Sequence, residues 1–287
     1  MNLNRKGSIN SIFKLITVIS LILIILQLSS FALASEKTQG SKFTDMKYKN
    51  DSFNTDKYFK NFIDIPLVAV GEVFSSDKAD LKRNLLYFGI LAGSINYLDQ
   101  DIRDYVQNNI YAGDNNLSKF LYAFGDLEYI FSFYGGGYLI SKLRSDDYLK
   151  NTMHYSFQSL LITQAFTEFF KKTVNRDRPR DSKDDPFSRK GGNTFISGHA
   201  SGTWATMTIM AKRYPKAKYL SYGMAAMVSA SRIYEDAHWF SDVLAGSFVG
   251  YQIGNLTISL NDTFPEDISI SPIYDGELAG LVVNIDI

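Results

Sequence analysis

The sequence predicts an all-α fold, a bundle of about six helices followed by a C-terminal β-hairpin. From about residue 64 to residue 255, apolar residues recur at spacings of three and four, which is typical of the buried face of a helix. In residues 258–287 the pattern changes, and apolar residues recur at every second position, as is typical of β-strands. They lie on either side of an Asp-Gly pair at 275–276 that suits a tight hairpin turn. The expected helices cover residues 81–98, 126–143, 153–173, 199–213, 216–233 and 240–255.

The N-terminal segment has the pattern of an export signal. Three basic residues accompany an apolar stretch over residues 15–28, and Ala32-Leu33-Ala34 places small residues where a signal peptidase cuts. We therefore expect residues 1–34 to be removed, leaving a periplasmic or secreted protein. An uncleaved membrane anchor is the alternative, because an uncharged stretch of about 20 residues can span a bilayer.

The rest of the chain divides into three regions. Residues 35–75 are expected to form a loosely held N-terminal arm, because residues 35–60 are polar and rich in lysine. Residues 76–257 form the predicted helical domain, and residues 258–287 the hairpin tail. Most apolar runs of the helical domain are shorter than the roughly 18 residues of a membrane span. They favour a globular bundle over an integral membrane domain, with contact to a membrane surface left open.

Composition argues against several classes of function. The chain has 30 basic and 30 acidic residues, and removal of residues 1–34 takes away three basic ones, which leaves a formal charge of −3. This balance argues against nucleic-acid binding, which needs a basic face. The chain has no cysteine, which excludes disulfides and thiolate metal sites. The acidic clusters lack convergent histidines, so no metal is expected.

Residues suited to binding an oxyanion occur in three short motifs. These are Lys171-(six residues)-Arg178-Pro179, Ser197-Gly198-His199, and Ser231-Arg232-(five residues)-His238-(three residues)-Asp242. They offer three cations, a hydroxyl, a backbone amide, two imidazoles and a carboxylate. Guanidinium and ammonium groups donate directed hydrogen bonds to the oxygens of a phosphoryl group, so the motifs predict a phosphate-handling site.

Local geometry supports this interpretation. Ser197 suits the N-cap of a helix, and the free backbone amides that follow an N-cap favour a bound anion. Gly198 allows the backbone to approach a phosphate closely, since it has no Cβ. His238 and Asp242 are four residues apart, so a helical turn would place them on one face, with the carboxylate orienting the imidazole.

Other residues near the motifs are expected to have structural roles. Glu168 is expected to pair with Lys171, and His154 to be an ordinary helix residue. Four further cations in the basic loop over residues 171–190 are expected to be solvated: Arg176, Arg180, Arg189 and Lys190. On the last helix, small or apolar residues share one face and would admit a neighbouring helix: Ala245, Gly246, Val249 and Gly250.

The three motifs resemble those of the type 2 phosphatidic acid phosphatase (PAP2) superfamily, which also contains bacterial class A acid phosphatases and vanadium haloperoxidases. The resemblance covers about residues 150–255 and departs from the family at Ile196, where a proline is usual. It implies a helical bundle of the PAP2/haloperoxidase type and metal-independent hydrolysis of phosphate monoesters through a phosphohistidine.

The resemblance also implies a role for each site residue, without any cofactor. His238 would be the nucleophile, Asp242 its orienting carboxylate, and His199 the general acid that protonates the leaving oxygen. The phosphoryl oxygens would be bound by Lys171, Arg178, Ser197, Gly198 and Arg232.

The substrate and the reaction leave alternatives open. A broad phosphomonoesterase acting on small phosphorylated molecules is favoured over a lipid-phosphate phosphatase of the phosphatidic acid, lipid A or prenyl diphosphate type. A vanadate-dependent haloperoxidase and a non-catalytic exported protein are the remaining alternatives.

Overall fold

The computed structural model describes residues 53–73, 78–113, 115–182, 185–262, 268–274 and 279–285. The predicted signal segment, residues 35–52 of the predicted arm and the Asp-Gly turn lie outside these residues. The helices are α1 Thr55–Val73, α2 Lys78–Gly93, α3 Asp99–Asn109, α4 Asn116–Gly125, α5 Leu127–Arg144, α6 Asp147–Val174, α7 Gly198–Arg213, α8 Lys218–Tyr234 and α9 Phe240–Asp262. A π-helical segment, Ser94–Leu98, joins α2 to α3, and a short 3₁₀ helix, Pro215–Ala217, precedes α8.

The centre of the bundle is α7, which packs against α6, α8 and α9. Apolar side chains meet there in three clusters, and Leu160, Ile209 and Ile253 are at most 2% exposed. Burial of such side chains is the main contribution to the stability of the bundle. The predicted all-α architecture is therefore confirmed for the helical part of the chain.

Helices α7 and α9 lie unusually close together at the end where both begin. A Cβ on Gly246 would lie only 2.6 Å from the carbonyl oxygen of Ser197, so no larger residue fits without movement. The backbone amide of Ser197 also donates to the carbonyl of Asp242 at 3.0 Å. The small residues predicted to admit a neighbouring helix thus bring the second and third sequence motifs together.

All six predicted helices are present, with ends that differ by a few residues. Three more helices, α1, α3 and α4, were not predicted. The loosely held arm is corrected over residues 55–73, because α1 buries Tyr58, Asn61 and Ile65 in the bundle. Its polar first turns and the internal Pro66 concealed this helix, since proline usually ends one.

Two strands follow the helices. Strand β1 (Ile268–Tyr274) pairs antiparallel with β2 (Ala279–Ile285), with Ile268 opposite Ile285. Helix α9 continues to Asp262, beyond the predicted domain boundary at residue 257. The turn that would connect the strands lies outside the described residues, so the hairpin tail as a whole stays a prediction.

Candidate active site

A cavity of about 310 Å³ lies where the ends of α6, α7 and α8 meet, beside α4. Six of the predicted site residues line it: Lys171, Arg178, Gly198, His199, Arg232 and His238. Tyr122, Arg180, Glu235 and Ala237 complete the wall. Ser197 and Asp242, both fully buried, do not line the cavity. Tertiary packing therefore gathers residues from all three motifs around one space.

The cations of the cavity come from three different segments. Lys171 belongs to the last turn of α6, where its ammonium group donates to Glu168 at 2.8 Å, as expected. Arg178 follows in the loop and donates to the side chain of Asn193. Arg232 in the last turn of α8 pairs with Glu235 at 2.9 Å.

This clustering of positive charge is electrostatically unfavourable for the cations themselves. Burial lowers the pKa of both Arg178 and Arg232, because a charged guanidinium loses hydration there. Nearby cations lower both values further, with Arg180 acting on Arg178 and Arg178 acting on Arg232. A bound anion would relieve this repulsion, so the cavity is suited to a phosphate-sized anion.

His238 is held by a hydroxyl group that the sequence did not reveal. Thr194 Oγ1 lies 2.8 Å from His238 Nδ1 and donates to Asp242 Oδ2 at 2.6 Å. The imidazole and the carboxylate themselves are 3.7 Å apart. Thr194 thus bridges the pair, and the direct contact expected from the four-residue spacing is replaced by a relay through its hydroxyl.

The relay determines which nitrogen of His238 is free. The pKa of Asp242 is lowered: burial alone would raise it, but His238, Arg176 and the Thr194 hydroxyl outweigh burial. The ionised carboxylate can only accept, so Thr194 gives it its one proton, and Nδ1 of His238 must donate to Thr194. Nε2 then carries the lone pair. Burial also lowers the pKa of His238, which favours the neutral imidazole.

Arg176 is the main correction to the sequence analysis, which placed it in solvent. It is 1% exposed and bonds to two buried carboxylates, Asp242 at 2.6 Å and Asp99 at 2.5 Å. Asp99 also accepts from the backbone amide and hydroxyl of Ser241. Burial raises the pKa of Asp99 despite Arg176. The network is joined to the relay to His238 by Asp242, which accepts from both Arg176 and Thr194.

The other three cations of that loop differ from Arg176. Arg180, Arg189 and Lys190 are exposed, as predicted for solvated side chains. Arg180 nevertheless lines the cavity, which the sequence analysis did not foresee. It therefore adds a fourth cation to the wall.

The segment that carries His238 is fixed by two long-range contacts. Arg103 of α3 donates to both oxygens of Asp236, each at 2.7 Å. Asp236 has a positive φ of 53°, a strained conformation that this bidentate pair helps to hold. Trp239 donates from its indole to the carbonyl of Asp177 at 3.0 Å. The loop after α8 is thereby tied to α3 and to the basic loop.

His199 belongs to the second motif, at the start of α7, and contacts α4. Its ring is 4.9 Å from that of Tyr122, between centroids. A Cβ on Gly125 would lie 2.8 Å from His199 Cδ2, so glycine leaves the space that the ring occupies. Nε2 of His199 is buried and has no hydrogen-bond partner among the described residues. It is available to a ligand in the cavity.

Burial strongly lowers the pKa of His199, to about 3, and the nearby cations Arg232, Lys171 and Arg178 contribute to this lowering. The free protein at neutral pH therefore carries a neutral imidazole at this position. A bound dianion would raise the pKa again, because it offsets the surrounding positive charge.

Ser197 takes the N-cap position predicted for it. Its side chain accepts from the backbone amide of Ala200 at 3.5 Å, and α7 begins at Gly198. Gly198 reaches the cavity wall next to Lys171, whose Nζ would be 3.6 Å from a Cβ at residue 198. The start of α7 therefore faces the cavity through the glycine rather than through the serine.

Three residues outside the motifs contribute to the site, and sequence spacing gave no sign of them. Thr194 bridges the relay, Asp99 pairs with Arg176, and Tyr122 contacts His199. His154, by contrast, lies away from the cavity against the rings of Phe53 and Tyr138. It is the ordinary helix residue that the sequence predicted. Among the described residues no group of three acidic or histidine side chains is arranged to hold a metal ion.

The part of the chain that carries the site is similar to a known family. Residues 154–265 match the model of the PAP2 superfamily. The matched region contains all three motifs and every predicted site residue. The resemblance found in the motifs is confirmed.

Two curated relatives are similar to parts of the chain. A PA-phosphatase related-family protein of Dictyostelium discoideum is 29% identical over 157 residues, which cover 47% of this chain and 58% of the relative. The lipid A 1-phosphatase of Porphyromonas gingivalis is 28% identical over 102 residues, 32% of this chain and 23% of the relative. The chain thus matches little more than half of the first relative and about a quarter of the second.

One solved structure is also similar. It is the crystal structure of the first transmembrane PAP2 type phosphatidylglycerolphosphate phosphatase from Bacillus subtilis, with a TM-score of 0.46 and 18% identity. The similarity covers 63% of this chain and 96% of that one.

Proposed function

We propose that the chain is a phosphatase that hydrolyses phosphate monoesters through a phosphohistidine at His238. The observation that carries the proposal is that two imidazoles, His238 and His199, line one small cavity whose wall also holds four cations. Such a wall attracts a phosphate ester and repels a metal cation. The cations, rather than a metal ion, would neutralise the charge of the transition state.

The first half of the reaction forms the phosphoenzyme. Nε2 of His238 attacks phosphorus while the bond to the ester oxygen breaks, and His199 donates a proton to the departing oxygen. The positive charge that develops on His238 is stabilised through Thr194 by the carboxylate of Asp242. The alcohol then leaves.

The second half releases phosphate. Neutral His199 takes a proton from a water molecule, the water oxygen attacks phosphorus, and the bond to His238 breaks. Inorganic phosphate leaves, and both imidazoles return to their starting state. Lys171, Arg178, Arg232 and the backbone amide of Gly198 hold the phosphoryl oxygens in both halves. Ser197 stays a predicted ligand, since its hydroxyl would first have to leave its cap position.

For the substrate we propose a lipid phosphate rather than the small soluble ester favoured by the sequence analysis. An exposed apolar stripe follows one face of α1 at helical spacing: Phe59, Ile63, Leu67 and Val70. Exposed apolar surface of this kind marks contact with lipid or protein. One relative is named a lipid A phosphatase, which supports the same choice.

One described helix bears on how the protein would contact a membrane. Among the described residues, Phe240–Asn261 is the single stretch long and apolar enough to cross a bilayer, by length and composition alone. It is also a central packing element of the bundle, because α9 packs extensively against α7. We therefore place the protein at a membrane surface through its exposed side chains, after export.

The two histidines supply the test of the reaction. His238→Ala should abolish turnover and the ³²P-labelled phosphoenzyme trapped by acid quenching, because no nucleophile remains. His199→Ala should slow esters of alkyl alcohols by about 10²- to 10⁴-fold and aryl esters much less, since protonation matters most for a basic leaving oxygen. His154→Ala, the third histidine, is the matched control. Equal losses on all esters for both site variants would disprove the division of roles.

The substrate and the rival reaction need separate assays. We expect kcat/KM on a lipid phosphate in mixed micelles to exceed that on glycerol 3-phosphate, and the reverse order would restore the soluble-ester hypothesis. Oxidation of bromide by peroxide in the presence of vanadate would instead establish the haloperoxidase alternative. Absence of both phosphatase activity on every ester and bromide oxidation would leave only the non-catalytic alternative.

A further inference from the structure

A second cavity, of about 370 Å³, adjoins the phosphate cavity and is more open to solvent. It is lined by Ser118, Lys119, Tyr122, Ala123, Tyr129 and Glu235. Tyr122 and Glu235 line both cavities, so the two spaces share part of their walls. No predicted site residue lies in the second cavity.

The direction in which the alcohol leaves can be derived from the two histidines. Displacement at phosphorus runs in line, so the nucleophile and the departing oxygen lie on opposite sides of the phosphorus atom. His238 attacks from one side, and the proton donor His199 must therefore contact the leaving oxygen on the other. The alcohol extends from phosphorus past the ring of His199.

Helix α4 runs from His199, where the alcohol would leave phosphorus, to the second cavity. Tyr122 and Gly125 of α4, one turn apart, both contact His199. The same helix supplies four of the residues that line the second cavity, from Ser118 to Ala123. An alcohol that passes His199 along α4 thus enters the second cavity. The unpartnered, buried Nε2 of His199 lies at the start of this path.

The walls of the cavity indicate the chemistry of the alcohol. The rings of Tyr122 and Tyr129 and the methyl group of Ala123 offer apolar contact. Lys119 is exposed and adds an ammonium group. The carboxylate of Glu235 is already paired with Arg232, so it adds little negative charge to the wall. The lining suits an apolar or aromatic body that carries an anionic substituent.

We propose that this second cavity is the leaving-group subsite, and that it selects esters of alcohols with an apolar body and an anionic group. The inference rests on the proposed phosphatase reaction and adds two specificity-determining residues, Tyr129 and Lys119. Tyr122 also belongs to the subsite, but it touches His199 and Arg232 and so cannot separate specificity from catalysis.

Three soluble esters test the subsite through ratios of kcat/KM, which cancel differences in intrinsic reactivity between variants. Tyr129→Ala should lower the ratio of phenyl phosphate to glycerol 3-phosphate about tenfold, through loss of an aromatic contact. Lys119→Gln should lower the ratio of 4-carboxyphenyl phosphate to phenyl phosphate about threefold, the size expected of an exposed ion pair. The controls are Tyr219→Ala and Lys216→Gln, whose side chains are exposed and line neither cavity.

A binding measurement separates failure of this inference from failure of the phosphatase proposal. The product alcohol 4-hydroxybenzoate should bind to the wild-type chain in saturation-transfer NMR, and more weakly to Tyr129→Ala, whether or not any ester is hydrolysed. Turnover with unchanged ratios in both variants would overturn the subsite. Binding that depends on Tyr129 in a chain without turnover would retain the second cavity as a ligand site and reject the phosphatase reaction. Absence of both binding and changed ratios would overturn it outright.

Discussion

Arg176 donates to Asp242 at 2.6 Å and to Asp99 at 2.5 Å, and all three side chains are at most 1% exposed. Asp242 in turn accepts from Thr194, which contacts His238. A buried chain of charged and polar groups therefore runs from the start of α3 to the proposed nucleophile. Removal of any member leaves a partner unpaired away from water, which is expensive.

Arg176→Met should reduce the free energy of unfolding by about 3–5 kcal/mol, because it leaves two carboxylates buried without their cation. Urea denaturation followed by circular dichroism measures the change. Arg189→Met in the same loop is the matched control, since Arg189 is exposed and should change stability by less than about 0.5 kcal/mol. A loss below about 1 kcal/mol for Arg176→Met would show that the buried network does not stabilise the fold.

Thr194→Val should lower kcat by about tenfold to a hundredfold, as expected for loss of a hydrogen bond to a charged group. Valine keeps the shape of threonine but cannot bridge His238 and Asp242, so the tautomer of the imidazole is no longer determined. Thr194→Ser retains the hydroxyl and should recover most of the activity. If serine were as impaired as valine, threonine would act through packing instead.

The pH dependence follows from the lowered pKa of His199. At about 3 it lies below neutrality, so the free protein lacks the proton that the leaving oxygen needs. The proton must then arrive with the substrate monoanion, which predominates only below the second pKa of a phosphate ester, about 6. We expect kcat/KM on alkyl phosphates to fall about tenfold per pH unit above that value.

In the complex, the bound phosphoryl group raises the pKa of His199, so the decline of kcat should begin at higher pH than that of kcat/KM. The pKa of His238 is lowered by burial, which favours the unprotonated form of the proposed nucleophile. Steady-state rates measured between pH 4 and 9 separate the two profiles. A kcat/KM that still increased above pH 8 would contradict the assignment of His199 as general acid.

Gly125→Ala should impair catalysis without removing any chemical group. The new Cβ would lie 2.8 Å from both His199 and Val228, so the imidazole must shift. A displacement of this kind costs about tenfold to a hundredfold in rate, mainly on alkyl esters that need the proton. Gly223→Ala on α8 has open space around it and is the control. Equal activity of the two variants would show that the contact is not tight.

The spacing of residues along the chain was sufficient to locate the helices of the centre and the reacting groups. Apolar periodicity predicted α6 to α9 because each of these helices buries one face, and a buried face requires apolar residues at spacings of three and four. The shorter α3 and α4 escaped prediction, and so did α1 with its polar first turns and internal proline. Tertiary packing, rather than a sustained apolar pattern, accounts for them.

The sequence by itself determined which chemical groups the site contains: two imidazoles, a carboxylate and three motif cations, in an order that resembles one superfamily. Only the tertiary structure decided how they are held. It placed Arg176 in the interior instead of in solvent, inserted Thr194 between His238 and Asp242, and set α4 against His199. The physical reason is that these contacts join residues far apart in the chain. The charge of a side chain can be read from the sequence. Its burial and its hydrogen-bond partners depend on which helix ends meet in the folded protein.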